Sequence, residues 1–241
     1  MTFKDGDFIE VEYTTRDAAT NEVIATTDEK LAKQSNLHEE GAVYGPTLVV
    51  PGSGGVIKGL DREIRNMSVG ESKKFTFKPE DAFGERSEEL VRVMPLSDFR
   101  ARDINPYPGM RIRLENTSAT VKSVNSGRVV IDANHPYAGR DISYEIKIVK
   151  EIKDDKEKVM ALGKSYDAVP TSVAIDGKAV TLTYGTKVNK NANYLVAKAN
   201  LIASILALMK NIDKVDVKEE YERPAEKEGE QAKDEESKGP A

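Results

Sequence analysis

The stretch GSGGVIKG, residues 52–59, is glycine-rich enough to suggest a phosphate cradle, but it fails both phosphate templates. A G-x-G-x-x-G match would need glycine where Ile57 stands, and a P-loop would need Ser or Thr after Lys58, where Gly59 stands. It reads as a turn. The chain has two histidines, His38 and His135, far apart in sequence, and no cysteine. That donor set argues against a metal site, and it excludes disulfides and thiol chemistry. His135 precedes Pro136 and reads as part of a loop or turn. No Ser/His/Asp set assembles, and nothing calls for a cofactor. What remains is an apolar, aromatic-lined cleft, for which the candidates are Tyr13, Ile24, Val56, Ile57, Leu60, Phe83 and Tyr144. Each also fits an ordinary core position, and periodicity alone does not separate the two roles.

These residues sit on recognisable elements. Residues 7–14 alternate, with Ile9, Val11 and Tyr13 on one face and Glu10 and Glu12 on the other, which predicts a half-buried strand. Residues 28–46 are polar and irregular and read as a long loop. Ile57, Leu60, Ile64 and Met67 recur at helical spacing, and Phe75 and Phe77 point inward from a strand over 74–78. Past Gly84, short strands are expected at 111–115, 119–124 and 128–132, the last two joined by Asn125-Ser126-Gly127. Residues 142–148 alternate cleanly, with Ile142, Tyr144, Ile146 and Ile148 opposed to Ser143, Glu145 and Lys147. A third region starts near 153. It holds a charged helix at 154–167, two strands joined at Asp176-Gly177, a long helix at 190–211 and a strand near 214–221. The long helix is apolar nearly all round, so it needs cover on several sides, part of which a second copy could supply. Residues 223–241 are rich in Glu and Lys and predict a disordered tail.

Charged residues make up 32% of the chain and hydrophobic ones 39%, with a net charge of −5. That balance speaks against general nucleic-acid binding. The most apolar run, 199–209, is short of the roughly 20 residues needed to cross a bilayer, so no membrane association is expected. The first residues alternate and carry acids, unlike a signal peptide, and with the lack of cysteine this predicts a cytoplasmic protein. Two glycosylation sequons, at Asn66 and Asn116, read as chance.

One resemblance sharpens the picture. GVIKGLDREIRNMSVGE at 55–71 followed by PEDAFGER at 79–86 resembles the signature of FKBP-type peptidyl-prolyl isomerases. VEYTT at 11–15 and VIATTDE at 23–29 sit where that family keeps its first pocket strands. VMPLSDF at 93–99 and NHPYAGRDISYEIKIV at 134–149 are similar to its SlyD-like branch, and the extension resembles long archaeal members. The resemblance implies an α+β fold in which a bent antiparallel sheet wraps one short helix. It implies an isomerase domain at 1–86 plus 136–152, an inserted chaperone-like flap domain at 87–135, a C-terminal domain of mixed α/β type at 153–222 and the tail at 223–241. The seven candidates fall on the family's pocket positions, with Leu60 where many members have Trp. Two positions depart from it. Ala25 replaces an Asp that would bond the Tyr13 hydroxyl, with Asp28 three residues on, and Phe83 replaces a commoner Tyr.

The expected function is therefore isomerisation of X–Pro bonds in unfolded or partly folded polypeptides, coupled to chaperone activity. Met94, Leu96, Phe99, Ile104 and Tyr107 are the expected capture surface, although several equally suit the insert's own core. The alternatives are a peptide-binding holdase with weak or no isomerase activity, favoured by Ala25, and a dimeric scaffold joined through 190–211.

Overall fold

Alternating apolar and acidic residues near the start of the chain build the strand on which the rest is hung: β1, Phe8–Asp17. The structure is a computed structural model. It describes residues 2–114, 117–186 and 192–223, and it falls into two units, residues 1–153 and 154–241. The first unit continues with β2 (Val23–Thr26), α1 (Glu29–Gln34), β3 (Thr47–Val49), α2 (Lys58–Ile64), β4 (Ser72–Phe77), β5 (Val91–Pro95) and α3 (Leu96–Arg100). It then runs through β6 (Arg111–Leu114), β7 (Thr117–Asn125), β8 (Arg128–Asp132) and β9 (Ile142–Ile152).

Its main sheet is antiparallel in the order β2-β1-β9-β4, with β3 also paired to β1. Two irregularities, at Glu10/Val11 against β9 and at Thr15/Arg16 against β2, bend β1. Register sets the faces. Thr15, Tyr144 and Phe75 form one row facing inward, while Thr14, Glu145 and Lys74 form a row facing out. α2 lies against the inner face, where Leu60, Ile64 and Met67 pack with Ile9, Val11, Phe77, Ile146 and Ile148. Gly59 allows this close approach, because a Cβ there would sit 2.4 Å from the Phe77 ring.

Between β4 and β9 the chain makes a second antiparallel sheet, β5-β8-β7-β6, with its own core of Phe99, Ile112, Ala119, Val121, Val129 and Ile131. The β7–β8 hairpin turns at Ser126 and Gly127, both at positive φ, as its sequence anticipated.

The second unit comprises α4 (Asp155–Ser165), β10 (Ser172–Asp176), β11 (Ala179–Tyr184), α5 (Ala192–Leu208) and β12 (Lys214–Glu219). β10 and β11 form a hairpin, and β12 pairs in parallel with β11, so α5 serves as the crossover between them. Tyr194, Leu201 and Ile205 of α5 are buried, but Leu195, Val196 and Leu206 are 53%, 63% and 44% exposed. The end of β12 is fixed by Glu219, which accepts from the Tyr194 hydroxyl at 2.7 Å, the Tyr221 hydroxyl at 2.7 Å and the Lys198 ammonium.

The fold is α+β, as expected, with local corrections. Residues 28–46 are not wholly irregular: α1 forms there because Asp28 caps it, accepting from Lys30 N at 2.8 Å and Leu31 N at 3.2 Å. Ser143, expected on a solvated face, is buried at 7% exposure. Of the expected features, Glu115, the Asn116 sequon residue, the start of the long helix at 190 and 191, and residues 224–241 of the expected tail lie outside the described residues.

Candidate functional site

The site is built where α2 meets the inner face of the main sheet. The 50–57 loop is held to α2 by Asp61, whose Oδ1 accepts from Gly52 N at 2.9 Å while its Oδ2 meets Arg65 Nη2 at 2.7 Å. Ser53 Oγ donates to Val50 O at 2.7 Å. This anchored loop delivers Val56 and Ile57 to the cluster formed by Leu60 and the sheet. Ile57 caps α2, and among the described residues nothing accepts its N–H, so one backbone donor remains open beside the apolar surface.

Tyr13 and Tyr144 come from adjacent strands, their ring centroids 6.1 Å apart and tilted by 38°. Tyr144 meets Phe77 edge-on at 6.1 Å, and Phe77 stacks on Phe75 at 5.8 Å. Both phenols are half-buried. Burial pushes the pKa of the Tyr13 and Tyr144 hydroxyls up. Among the described residues the Tyr13 hydroxyl has no hydrogen-bond partner, and the Asp28 carboxylate is engaged in capping α1. The place left by Ala25 is therefore not refilled. Ala25 pairs with Thr15, one diagonal step from Tyr13.

The structure thus brings Tyr13, Val56, Ile57, Leu60 and Tyr144 onto one cluster. Phe83 stands apart, at the end of the Pro79–Asp81 turn, which Arg62 of α2 grips through two bonds to Asp81 at 3.0 and 3.3 Å. Ala82 touches the cluster, while Phe83 stacks flat on His135 with centroids 4.2 Å apart and an interplanar angle of 11°. Tyr137 lies 5.9 Å from both rings. Burial lowers the pKa of His135, and Arg111 adds to the effect. His135 and Tyr137 were not anticipated as site residues; the only sequence hint was a histidine locked before Pro136. Ile24 is half-buried on β2 and does not join the cluster.

A groove of about 660 Å³ opens on the outward face of the sheet, where Glu12, Thr14, Lys74, Glu145 and Lys147 line it together with Tyr13 and Ile146. Its charges pair with one another, as in Lys74–Glu145 at 2.8 Å. In the second sheet, Phe99 is core at 5% exposure, and Met94, Leu96 and Ile104 pack against that core. Tyr107 is 62% exposed. The recess bordered by Met94, Phe99 and Ile104 holds only about 30 Å³, about one water, so any chain bound there must lie on the surface.

Comparison with known proteins identifies relatives of this chain. Residues 1–98 match the model for the FKBP-type peptidyl-prolyl cis-trans isomerase family, and residues 92–137 match that described as FKBP26, IF domain. The chain is 32% identical over 145 residues to the short-type peptidyl-prolyl cis-trans isomerase of Methanocaldococcus jannaschii, a match covering 60% of this chain and 91% of the relative. It is 30% identical over 115 residues to the FKBP-type isomerase SlyD of Vibrio cholerae, covering 46% and 57% of the two chains. With SlyD of Escherichia coli it shares 29% over 136 residues, covering 55% and 68%.

Proposed function

We propose, from the premise that this chain belongs to the FKBP-type peptidyl-prolyl cis-trans isomerases, that its catalytic surface is the cluster of Tyr13, Val56, Ile57, Leu60 and Tyr144; for Phe83, which stacks on His135, and Ile24, which lies outside the cluster on β2, only the family pattern speaks. The barrier to rotation about an X–Pro bond, about 18–20 kcal/mol, comes from amide resonance. The twisted transition state has lost that resonance and with it much of its charge separation. A dry, apolar surface therefore favours the twisted form over the planar one. Rate acceleration by ten thousand needs about 5.5 kcal/mol, which requires no acid, base or metal. The open N–H of Ile57 can hold a substrate carbonyl while the ring turns. The single observation carrying this reading is that five candidates from three separate chain segments meet at one buried apolar cluster, Leu60 within it and Tyr13, Val56, Ile57 and Tyr144 partly exposed at its rim, beside an open backbone donor. The test is kcat/KM on a proline tetrapeptide for Tyr144→Ala, which should fall about tenfold or more with the fold intact. Unchanged turnover would move the site elsewhere.

The second sheet is the chaperone part in this reading. The match to an FKBP insert domain over 92–137 supports it, as does the exposed Tyr107 at 62%. Met94, Leu96 and Ile104, half-buried over the core that holds Phe99, offer an apolar surface for unfolded polypeptide, while Val93 points to the opposite face of β5. Weak capture suffices because tethering raises the local concentration of prolines at the pocket. The exposed Leu195, Val196 and Leu206 of α5 support a homodimer formed through the C-terminal unit. Light scattering on Val196→Glu checks this: a wild type already monomeric at working concentration would remove the idea. Lack of cysteine fits a reducing, cytoplasmic setting. No helix among the described residues is long and apolar enough to cross a membrane.

A further inference from the structure

Two strands carry the chain out to the second sheet and back, and side chains tie them where their backbones stop pairing. At one end Val91 pairs with Asp132, and Ala133 N donates to Leu90 O at 2.9 Å. At the other, Gly139 N donates to Gly84 O at 2.9 Å. Between them the Asn134 amide replaces the missing ladder. Its Oδ1 accepts from Ser87 N at 2.9 Å and its Nδ2 donates to Ser87 O at 2.8 Å. That Nδ2 also donates to Asp132 Oδ1 at 2.8 Å, and Asn134 N donates to the same oxygen at 3.0 Å. The other oxygen of Asp132 meets Arg86 Nη2 at 2.7 Å and Lys122 Nζ at 3.7 Å. Asp132 is only 4% exposed, so its charge depends on these donors in place of water. Asn134 thus joins backbone, buried carboxylate and both strands at one point, directly before His135, which stacks on Phe83.

We propose that Asn134 is a positioning residue. With Asp132 it stiffens the two-strand stalk, so that a polypeptide held on the second sheet reaches the prolyl pocket at a fixed distance and angle. This rests on the capture role proposed above for that sheet. Effective concentration between two linked sites is greatest when the linker matches the span, and a wandering linker dilutes it.

The test uses the full chain with Asn134→Ala and Asn134→Asp. The second variant keeps an acceptor for Ser87 N but loses the Nδ2 donor. A proline tetrapeptide is too short to touch both sites, and its kcat/KM should stay within about twofold of wild type. Acceleration of a refolding protein limited by a trans-to-cis prolyl step should fall about tenfold, in kcat and not in KM. The absence of cysteine allows nitroxide labels at Glu22→Cys and Arg128→Cys, both exposed, as a readout independent of activity. Their distance distribution should be narrow in the parent and broad in Asn134→Ala. The proposal is overturned if the parent distribution is already broad, if both substrates lose rate together, if neither does, or if both variants simply unfold. Binding of a permanently unfolded protein to the parent separates the two ideas. No binding removes the capture role itself, whereas normal binding with unchanged refolding rates in the variants removes only the role of Asn134.

Discussion

Replacing Gly59 by alanine opposes two effects whose sizes can be compared. Gly59 sits in the first turn of α2, and alanine in place of glycine improves helix propensity by about 1 kcal/mol. The new methyl, however, would lie 2.4 Å from Phe77 Cδ1, 2.8 Å from Cε1 and 2.9 Å from Cγ, where ordinary contact begins at 3.4 Å. Helix and ring must therefore part by about 1 Å. The obstacle is a ring and not the far end of a flexible chain. Phe77 is 5% exposed and held between Phe75 and Tyr144. Overpacking at such a position costs about 3 kcal/mol, the upper part of its usual range. Subtracting the propensity gain leaves about 2 kcal/mol of net destabilisation. Urea unfolding of Gly59→Ala at neutral pH measures this directly, with Lys58→Ala on the exposed side of the same helix as a control expected within about 0.5 kcal/mol of wild type. Because the shift carries Ile57 and Leu60 with it, kcat/KM on a proline tetrapeptide should fall about fivefold or more. A Gly59→Ala protein as stable as wild type would refute the claim that close helix–sheet approach at this glycine shapes the pocket floor.

Ala25→Asp places a carboxylate one diagonal step from the unpartnered Tyr13 hydroxyl, and kcat/KM on a proline peptide should rise about tenfold; no gain would show that Tyr13 needs no anchor here. Catalysis should be flat between pH 7 and 9, because burial moves the Tyr13 and Tyr144 phenols upward and His135 downward, away from that window; a bell-shaped profile would reveal a titrating group in the mechanism. Glu219 is held down to about 2 by hydrogen bonds from Lys198, Tyr194 and Tyr221. A carboxylate depressed in the folded state stabilises above its unfolded value, near 4.5, and that stability is lost as pH falls toward 2. Glu219→Gln should accordingly cost about 2 kcal/mol in urea at pH 7, after discounting for partial exposure, and should flatten the acid limb of the stability curve; an unchanged limb would contradict the network.

Much of this architecture can be read from residue patterns, and the failures have physical causes. β1 and β9 announce themselves because one face is buried and the other solvated, so a period of two survives in the residue types. α2 is legible from Ile57, Leu60 and Ile64, and the hairpins from Ser126-Gly127 and Asp176-Gly177. α1 escaped notice because it buries only Ala32, leaving almost no apolar periodicity to detect; its one signal was the Asp28 cap. At the candidate site, the family resemblance picked out Tyr13, Val56, Ile57, Leu60 and Tyr144, which the fold brings onto one cluster. The stack of Phe83 on His135 was not legible, because a contact across the whole second sheet leaves no trace in local spacing. Phe99 shows the complementary limit. A buried aromatic and an exposed one can have the same helical period, and only the structure separates buried Phe99, at 5% exposure, from exposed Tyr107, at 62%.

The position of β9 has a consequence for how the chain comes off the ribosome. β9 lies between β1 and β4, yet β4 ends at Phe77 and β9 begins at Ile142, so 64 residues are made between them. Until β9 emerges, β1 and β4 have no strand to join them, and their apolar faces wait uncovered. The sheet β5-β8-β7-β6 needs only residues 91–132 and can fold during that wait. Once folded, it replaces a long slack loop by a short stalk. Folding of 91–132 leaves 22 of the 64 intervening residues as connection, and loop closure costs about 0.6 kcal/mol per doubling of length, so about one and a half doublings are saved and β9 comes home with about 0.9 kcal/mol less entropy to lose. The second sheet thus shortens the closure that its own chain must make to complete the first.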